Sequence, residues 1–128
     1  MVKSKILIVD DDKGYLEELS EMLTLAGYEV TALSDGSSAV KAAQVSVPDV
    51  VLIDLRMPVM SGFEVADRLK ALTQTCKVPV IAITGHYTMK EHLWLMKFCG
   101  IKKCLKKPIN PVELKAEIEN VLKDKNNK

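Results

Sequence analysis

Four carboxyl-bearing or phosphate-compatible groups stand at the ends of short runs rich in apolar residues. Asp10, Asp11 and Asp12 follow Ile6-Leu7-Ile8-Val9, and a lone Asp54 follows Val50-Val51-Leu52-Ile53. Thr84-Gly85 closes a third apolar segment, and Lys107-Pro108 follows the mixed segment Ile101-Lys102-Lys103-Cys104-Leu105-Lys106. If the runs are parallel strands, all of these residues open onto one edge of a single sheet. That edge, outside the carboxyl ends of the strands, is where open α/β sheets place their chemistry. Gathered carboxylates repel, by ~4 kcal/mol for two unit charges ~4 Å apart at an effective dielectric near 20. A cation is the expected compensation. Asp54 beside it could act as a nucleophile and form an aspartyl phosphate.

A set of hard oxygen ligands with waters completing the shell suits magnesium, so Asp10, Asp11 and Asp54 are its candidate ligands. Lys107 offers a flexible point charge that can pair with Asp54 and then with a phosphoryl group. The Thr84 hydroxyl can donate to a phosphoryl oxygen, and Gly85 leaves space for the incoming group. Plainer readings stand beside these. Asp10–Asp12 could simply begin a loop and cap the next helix, and Asp12 reads as a cap or solvated residue rather than a ligand. Lys102, Lys103 and Lys106 read as ordinary solvated residues, and His86 as a loop histidine rather than a base. Pro108 sets Lys107 apart from them and admits a cis bond before it.

The elements that would position these residues alternate five times between strand and helix. Strands are expected at 6–10, 28–33, 49–53, 79–83 and 102–106. Helices are expected at 15–26, 36–45, 62–72, 88–99 and 111–122, on apolar spacings such as Leu16, Leu19, Leu23 and Ala26, or Leu114, Ile118, Val121 and Leu122. Gly27 reads as a helix stop and Pro111 as a first-turn residue. Continuous apolar strands alternating with helices imply a parallel sheet covered on both faces. In the flavodoxin-like order 2-1-3-4-5, strands one and three are neighbours and bring Asp10, Asp11 and Asp54 together. The fourth helix carries more apolar residues than one stripe needs. Met89, Leu93 and Met96 would make its inner face, with Trp94 and Phe98 pointing elsewhere, either as an interaction surface or as packing against the fifth helix.

The 128 residues make one domain, with a terminal tail at 124–128 expected to fray. Hydrophobic content of 48% and charged content of 27% describe a globular chain. A net charge of +1 argues against nucleic-acid binding driven by charge alone. No apolar stretch is long enough to span a bilayer, and the N-terminus lacks the features of a signal peptide. A cytoplasmic protein is expected. Cys76, Cys99 and Cys104 have no metal-ligand spacing and read as reduced thiols.

With those residues in place, the chain resembles the receiver domain of bacterial two-component response regulators over essentially its whole length. The resemblance is carried by Ile-Leu-Ile-Val-Asp-Asp at 6–11, Asp-Leu-Arg-Met-Pro-Val-Met-Ser-Gly at 54–62, Ile-Thr-Gly at 83–85 and Lys-Lys-Pro at 106–108. It implies that Asp54 is the phospho-acceptor, and that Asp10 and Asp11 hold magnesium with the Arg56 backbone carbonyl as a further ligand. It implies that Thr84 and Lys107 engage the phosphoryl group. The donor would be a phosphohistidine on a sensor histidine kinase or a histidine phosphotransfer protein. The output surface would be helix four, strand five and helix five, which also leaves a homodimer through that face open. The chain departs from the family at Cys104, where a switching Tyr or Phe usually stands, and carries about one extra residue between Thr84 and Lys107, near Phe98-Cys99.

Three other readings compete. A pseudo-receiver would bind a partner without being phosphorylated, and Cys104 is its only support. A haloacid-dehalogenase-type enzyme would carry a second Asp where Arg56 stands. A flavin-binding module would need a phosphate-cradling loop after strand one, where the acids lie. Nothing in the chain reads as an output domain, so a separate partner or domain would carry the output.

Overall fold

A computed structural model describes residues 2–85 and 89–126. Five strands, β1 (Lys5–Val9), β2 (Glu29–Leu33), β3 (Val50–Ile53), β4 (Val80–Thr84) and β5 (Ile101–Lys106), alternate with α1 (Lys13–Leu25), α2 (Gly36–Val45), α3 (Gly62–Ala71), α4 (Met89–Phe98) and α5 (Pro111–Asn126). The strands form one sheet in the order β2-β1-β3-β4-β5. Every pairing is parallel.

Strand side chains alternate between faces, and both faces of the central strands β1, β3 and β4 are covered, which is why those three read as apolar runs. Leu7, Val9, Val51, Ile53 and Ala82 pack with Ala39 and Ala43 of α2, Val65 and Leu69 of α3, and Met96 of α4. Ile6, Ile8, Val50, Leu52, Ile81, Ile83 and Leu105 pack with Leu16, Leu19 and Leu23 of α1 and Leu114 and Ile118 of α5.

Side-chain and backbone caps explain several of the boundaries that differ from the periodicity. Asp12 accepts from the Tyr15 N–H as the N-cap of α1, so that helix starts at Lys13 rather than Tyr15. It ends in paired bonds from Gly27 N to Thr24 O and Tyr28 N to Leu23 O, with Gly27 at φ 101°. Tyr28 therefore belongs to the cap and not to β2. Asp49 lies outside β3 and uses its carboxylate to accept the Lys5 N–H at 2.8 Å. Asn110 caps α5 by accepting from Val112 N and Glu113 N. Pro111 takes the first helical position, as expected. The apolar stripe stops at Leu122, but no Gly or Pro follows it, and α5 continues to Asn126. Asn127 and Lys128 lie outside the described residues.

Two irregularities gather around α4 and β5. His92 departs from helical geometry inside α4, at φ −121° and ψ 20°. Val80 pairs with Ile101 but Ile81 pairs with Lys103, so Lys102 is one residue of surplus in β5. This bulge lies within the 84–107 stretch, three residues after Cys99. The inner face of α4 also differs from expectation. Met96 is buried, with Leu95 and Cys99 packed beside it, whereas Leu93 is 40% exposed. Leu95, Met96 and Cys99 share one side of the turn that follows His92, and Leu93 falls outside it. The side chain of Met89 lies outside the described residues.

Candidate functional site

The carboxyl ends of β1, β3, β4 and β5 meet in one cleft. The Asp10 N–H bonds to Leu33 O at the end of β2, and the Asp54 N–H bonds to Val9 O at the end of β1. These bonds extend the sheet's ladder by one residue and hold both aspartates at its edge. Gly62, the first residue of α3, packs so closely beneath that a Cβ there would lie 2.3 Å from Asp54 O. Only glycine allows α3 to begin against the Asp54 backbone. The cleft has a volume of about 530 Å³ and is lined by Asp10, Asp11, Asp12, Asp54, Arg56, Met57, Pro58 and Lys107.

Asp10, Asp11 and Asp54 each offer a carboxylate oxygen, and these oxygens all lie within 4.8 Å of one another. Asp10 and Asp54 are buried and Asp11 is exposed. Asp10 is committed on both oxygens: Oδ1 accepts the Asp12 N–H at 2.9 Å and Oδ2 accepts from Lys107 Nζ at 2.8 Å. Asp54 Oδ1 accepts the Arg56 N–H at 3.2 Å, and its Oδ2 lies 3.7 Å from Lys107 Nζ. Burial pushes the Asp54 carboxyl above its ordinary value. The Arg56 N–H and Lys107 oppose that rise, while Asp10 and Asp11 add to it. An all-oxygen set of clustered, partly buried carboxylates with one exposed side fits a hard divalent cation with retained waters.

Lys107 is brought in by β5. Its N–H bonds to Thr84 O at 2.9 Å, and the Lys107-Pro108 peptide is cis. Thr84 itself is fully buried at the end of β4 and pairs with Lys106. Gly85 is exposed and close to the stem of Lys107. His86 lies outside the described residues. Asp12 is the helix cap that the plainer reading expected, not a member of the acid cluster. Lys102 and Lys106 are exposed, but Lys103 reaches Glu117 of α5 at 3.2 Å.

Away from the cleft, Cys104 is half-buried on the α4 side of the sheet, opposite Ala82. The three cysteines are free thiols. Trp94 and Phe98 are 76% and 61% exposed and stack on each other with ring centroids 5.7 Å apart. They do not pack as a second core face. Lys70 of α3 donates to Phe98 O at 2.9 Å and lies over the Phe98 ring.

Sequence reasoning missed two residues. Tyr15 reads in the sequence only as a helix start, yet its ring centroid lies 4.2 Å from Lys107 Nζ. Its position three residues after Asp12 puts it on the first turn of α1, facing the acid edge. Val59 has φ 68° in the loop between β3 and α3, spanned by a bond from Met60 N to Pro58 O. A β-branched residue is a genuine outlier there.

Comparison with known proteins settles the family. The response regulator receiver domain profile matches residues 6–119. The chain belongs to that family. The receiver chain is 36% identical over 120 residues to the transcriptional regulatory protein CpxR of Escherichia coli, a match covering 94% of this chain and 50% of that protein. It spans about half the length of the first curated relatives it matches. Among solved structures, the chemotaxis protein CheY4 of Vibrio cholerae superposes with a TM-score of 0.88 at 32% identity, covering 94% of this chain and 99% of that one. The receiver domain of the sensor histidine kinase PA1611 from Pseudomonas aeruginosa, which has a magnesium ion coordinated in its active site cleft, superposes with a TM-score of 0.85 at 28% identity over 94% and 98% of the chains. The receiver is thus a signalling domain of two-component systems. Among the described residues, no helix is long and apolar enough to cross a membrane.

Proposed function

We propose that this receiver accepts a phosphoryl group on Asp54 from a phosphohistidine of a sensor kinase or phosphotransfer protein. The observation that carries the reading is the placement of Asp54, buried between the acid pair Asp10-Asp11 and the Lys107 ammonium. A carboxylate oxygen of Asp54 attacks phosphorus. The bond from phosphorus to the donor nitrogen breaks, and its electron pair leaves with the imidazole. Asp10, Asp11, Asp54 and the Arg56 backbone carbonyl would hold magnesium. When bound, the ion supplies counter-charge to the phosphoryl oxygens.

The remaining roles follow from position. Lys107 pairs with the phosphoryl group once Asp54 no longer offers it two free oxygens. Thr84 and Gly85, at the end of β4, engage the group on its other side and carry the change towards α4. The exposed Trp94-Phe98 pair of α4 is the candidate output surface, to which β5 and α5 would contribute, and a homodimer would use the same face. Cys104 lacks the ring that would move inward beneath that surface. The pseudo-receiver reading gains no observation beyond that cysteine. Cytoplasmic location and output through a partner or a further domain complete the proposal.

Intact-mass measurement after incubation with acetyl phosphate tests it. One phosphoryl mass with magnesium and none without it is the expected outcome. No added mass under either condition would overturn the reading.

A further inference from the structure

Lys107 has a long flexible stem, and holding its head in one place costs rotamer entropy. Two carboxylates attract it from one side, Asp10 at 2.8 Å and Asp54 at 3.7 Å. A third contact comes from Tyr15, whose ring centroid is 4.2 Å from Nζ. A cation over an aromatic face is attracted by the ring quadrupole. The Tyr15 backbone is itself fixed, because its N–H bonds to Asp12 Oδ1 at 3.1 Å. One short segment, from Asp10 into the first turn of α1 at Tyr15, therefore supplies both the carboxylate and the ring that flank the ammonium.

The Tyr15 hydroxyl is buried and has no hydrogen-bond partner among the described residues. It contributes no bond to the cluster, so the ring and not the oxygen makes the contact with Lys107. Burial, together with Asp10, Glu18 and Asp54, pushes the phenol up to about 12, so the ring beside the ammonium stays neutral.

We propose that Tyr15 is a positioning residue whose ring face holds the Lys107 ammonium between Asp10 and Asp54, ready for a phosphoryl group on Asp54. The inference rests on the proposed function and goes beyond it by assigning a role to a residue outside the acid cluster. It separates the ring from the hydroxyl. Tyr15→Phe keeps the ring and removes an unpartnered group, whereas Tyr15→Leu and Tyr15→Met remove the ring and keep apolar bulk.

The test combines acetyl phosphate labelling rates with proton shifts of the Lys107 ε-methylene, which a ring face moves upfield. Labelling of Tyr15→Leu should be about five-fold slower, the order expected from a partly desolvated cation–ring contact, and Tyr15→Phe should recover most of the rate. The upfield shift should persist in Tyr15→Phe and vanish in Tyr15→Leu. Tyr15→Met gives the same comparison if Tyr15→Leu does not fold. Wild-type labelling with an unchanged rate in the ring-less variants would overturn this inference alone. So would a Lys107 shift that survives removal of the ring. No labelling of any variant, wild type included, would overturn the proposed function and this inference with it.

Discussion

Lys107 is bound first to Asp10, at 2.8 Å, and only second to Asp54, at 3.7 Å. The lysine expected to pair with the acceptor therefore occupies an oxygen of the acid that would also serve the cation. On the proposed function, lysine and metal would compete for Asp10.

That competition sets the first expectation. Lys107→Ala should destabilise the metal-free protein by about 2 kcal/mol, between the figures for exposed and buried pairs, because Asp10 is left buried without its partner. The same variant should bind magnesium about tenfold more tightly, a change of about 1.4 kcal/mol. Calorimetric titration of both proteins with magnesium checks this. Weaker binding by the variant would show that Lys107 assists the ion instead of competing with it.

Asp54 gives a pH dependence with a definite sign. Its folded-state pKa is raised, chiefly by burial, so the folded protein holds that proton more tightly than the unfolded chain. Stability then falls as pH rises from the unfolded pKa through the folded one, and the full cost remains above both. Metal-free Asp54→Asn should be more stable than wild type at pH 7, and the difference should shrink as pH is lowered towards about 4. Lys107 keeps Asp10 in the variant, so no lone cation offsets the gain. Urea melts across that range decide it, and a difference that grows towards acid pH would contradict the assignment.

The arrangement of strands and helices was legible because both faces of the central strands are covered, which leaves a run of apolar residues in β1, β3 and β4. The acid cluster was legible for the same reason, since each acid follows such a run directly. What sequence could not give was the contact between Tyr15 and Lys107, which joins residues distant in the chain through a helix rotation. Nor could it give the inner face of α4, because apolar residues occur all round that helix and several stripes fit, whereas the buried one runs through Leu95, Met96 and Cys99. Asp12 and Asp49 moved element boundaries by using their side chains on neighbouring N–H groups.

Val59 offers a stability test independent of the chemistry. Its φ of 68° is costly for a β-branched residue, and at 105% exposure its side chain contributes no packing. Val59→Gly should stabilise the protein by about 1 kcal/mol, the strain removed exceeding the entropy cost of glycine. The melting temperature should rise by about 4 °C. An unchanged or lower melting temperature would mean that the loop does not hold Val59 in that conformation.

Transmission to α4 can be followed by Trp94, the only tryptophan in the chain. Beryllofluoride with magnesium should change its emission in wild type and much less in Thr84→Ala. Cys104→Tyr should enlarge the response if a missing ring limits coupling. Equal responses from wild type and Cys104→Tyr would place the coupling in the β4–α4 connection alone.

The identity of the acceptor is the central claim, and trapping the acyl phosphate tests it most directly. Borohydride reduces an aspartyl phosphate to homoserine, which marks the residue permanently. After acetyl phosphate and magnesium, peptide mass spectrometry should find homoserine at position 54 and aspartate retained at positions 10, 11 and 12. Homoserine at any of those three with Asp54 unmodified would contradict the account.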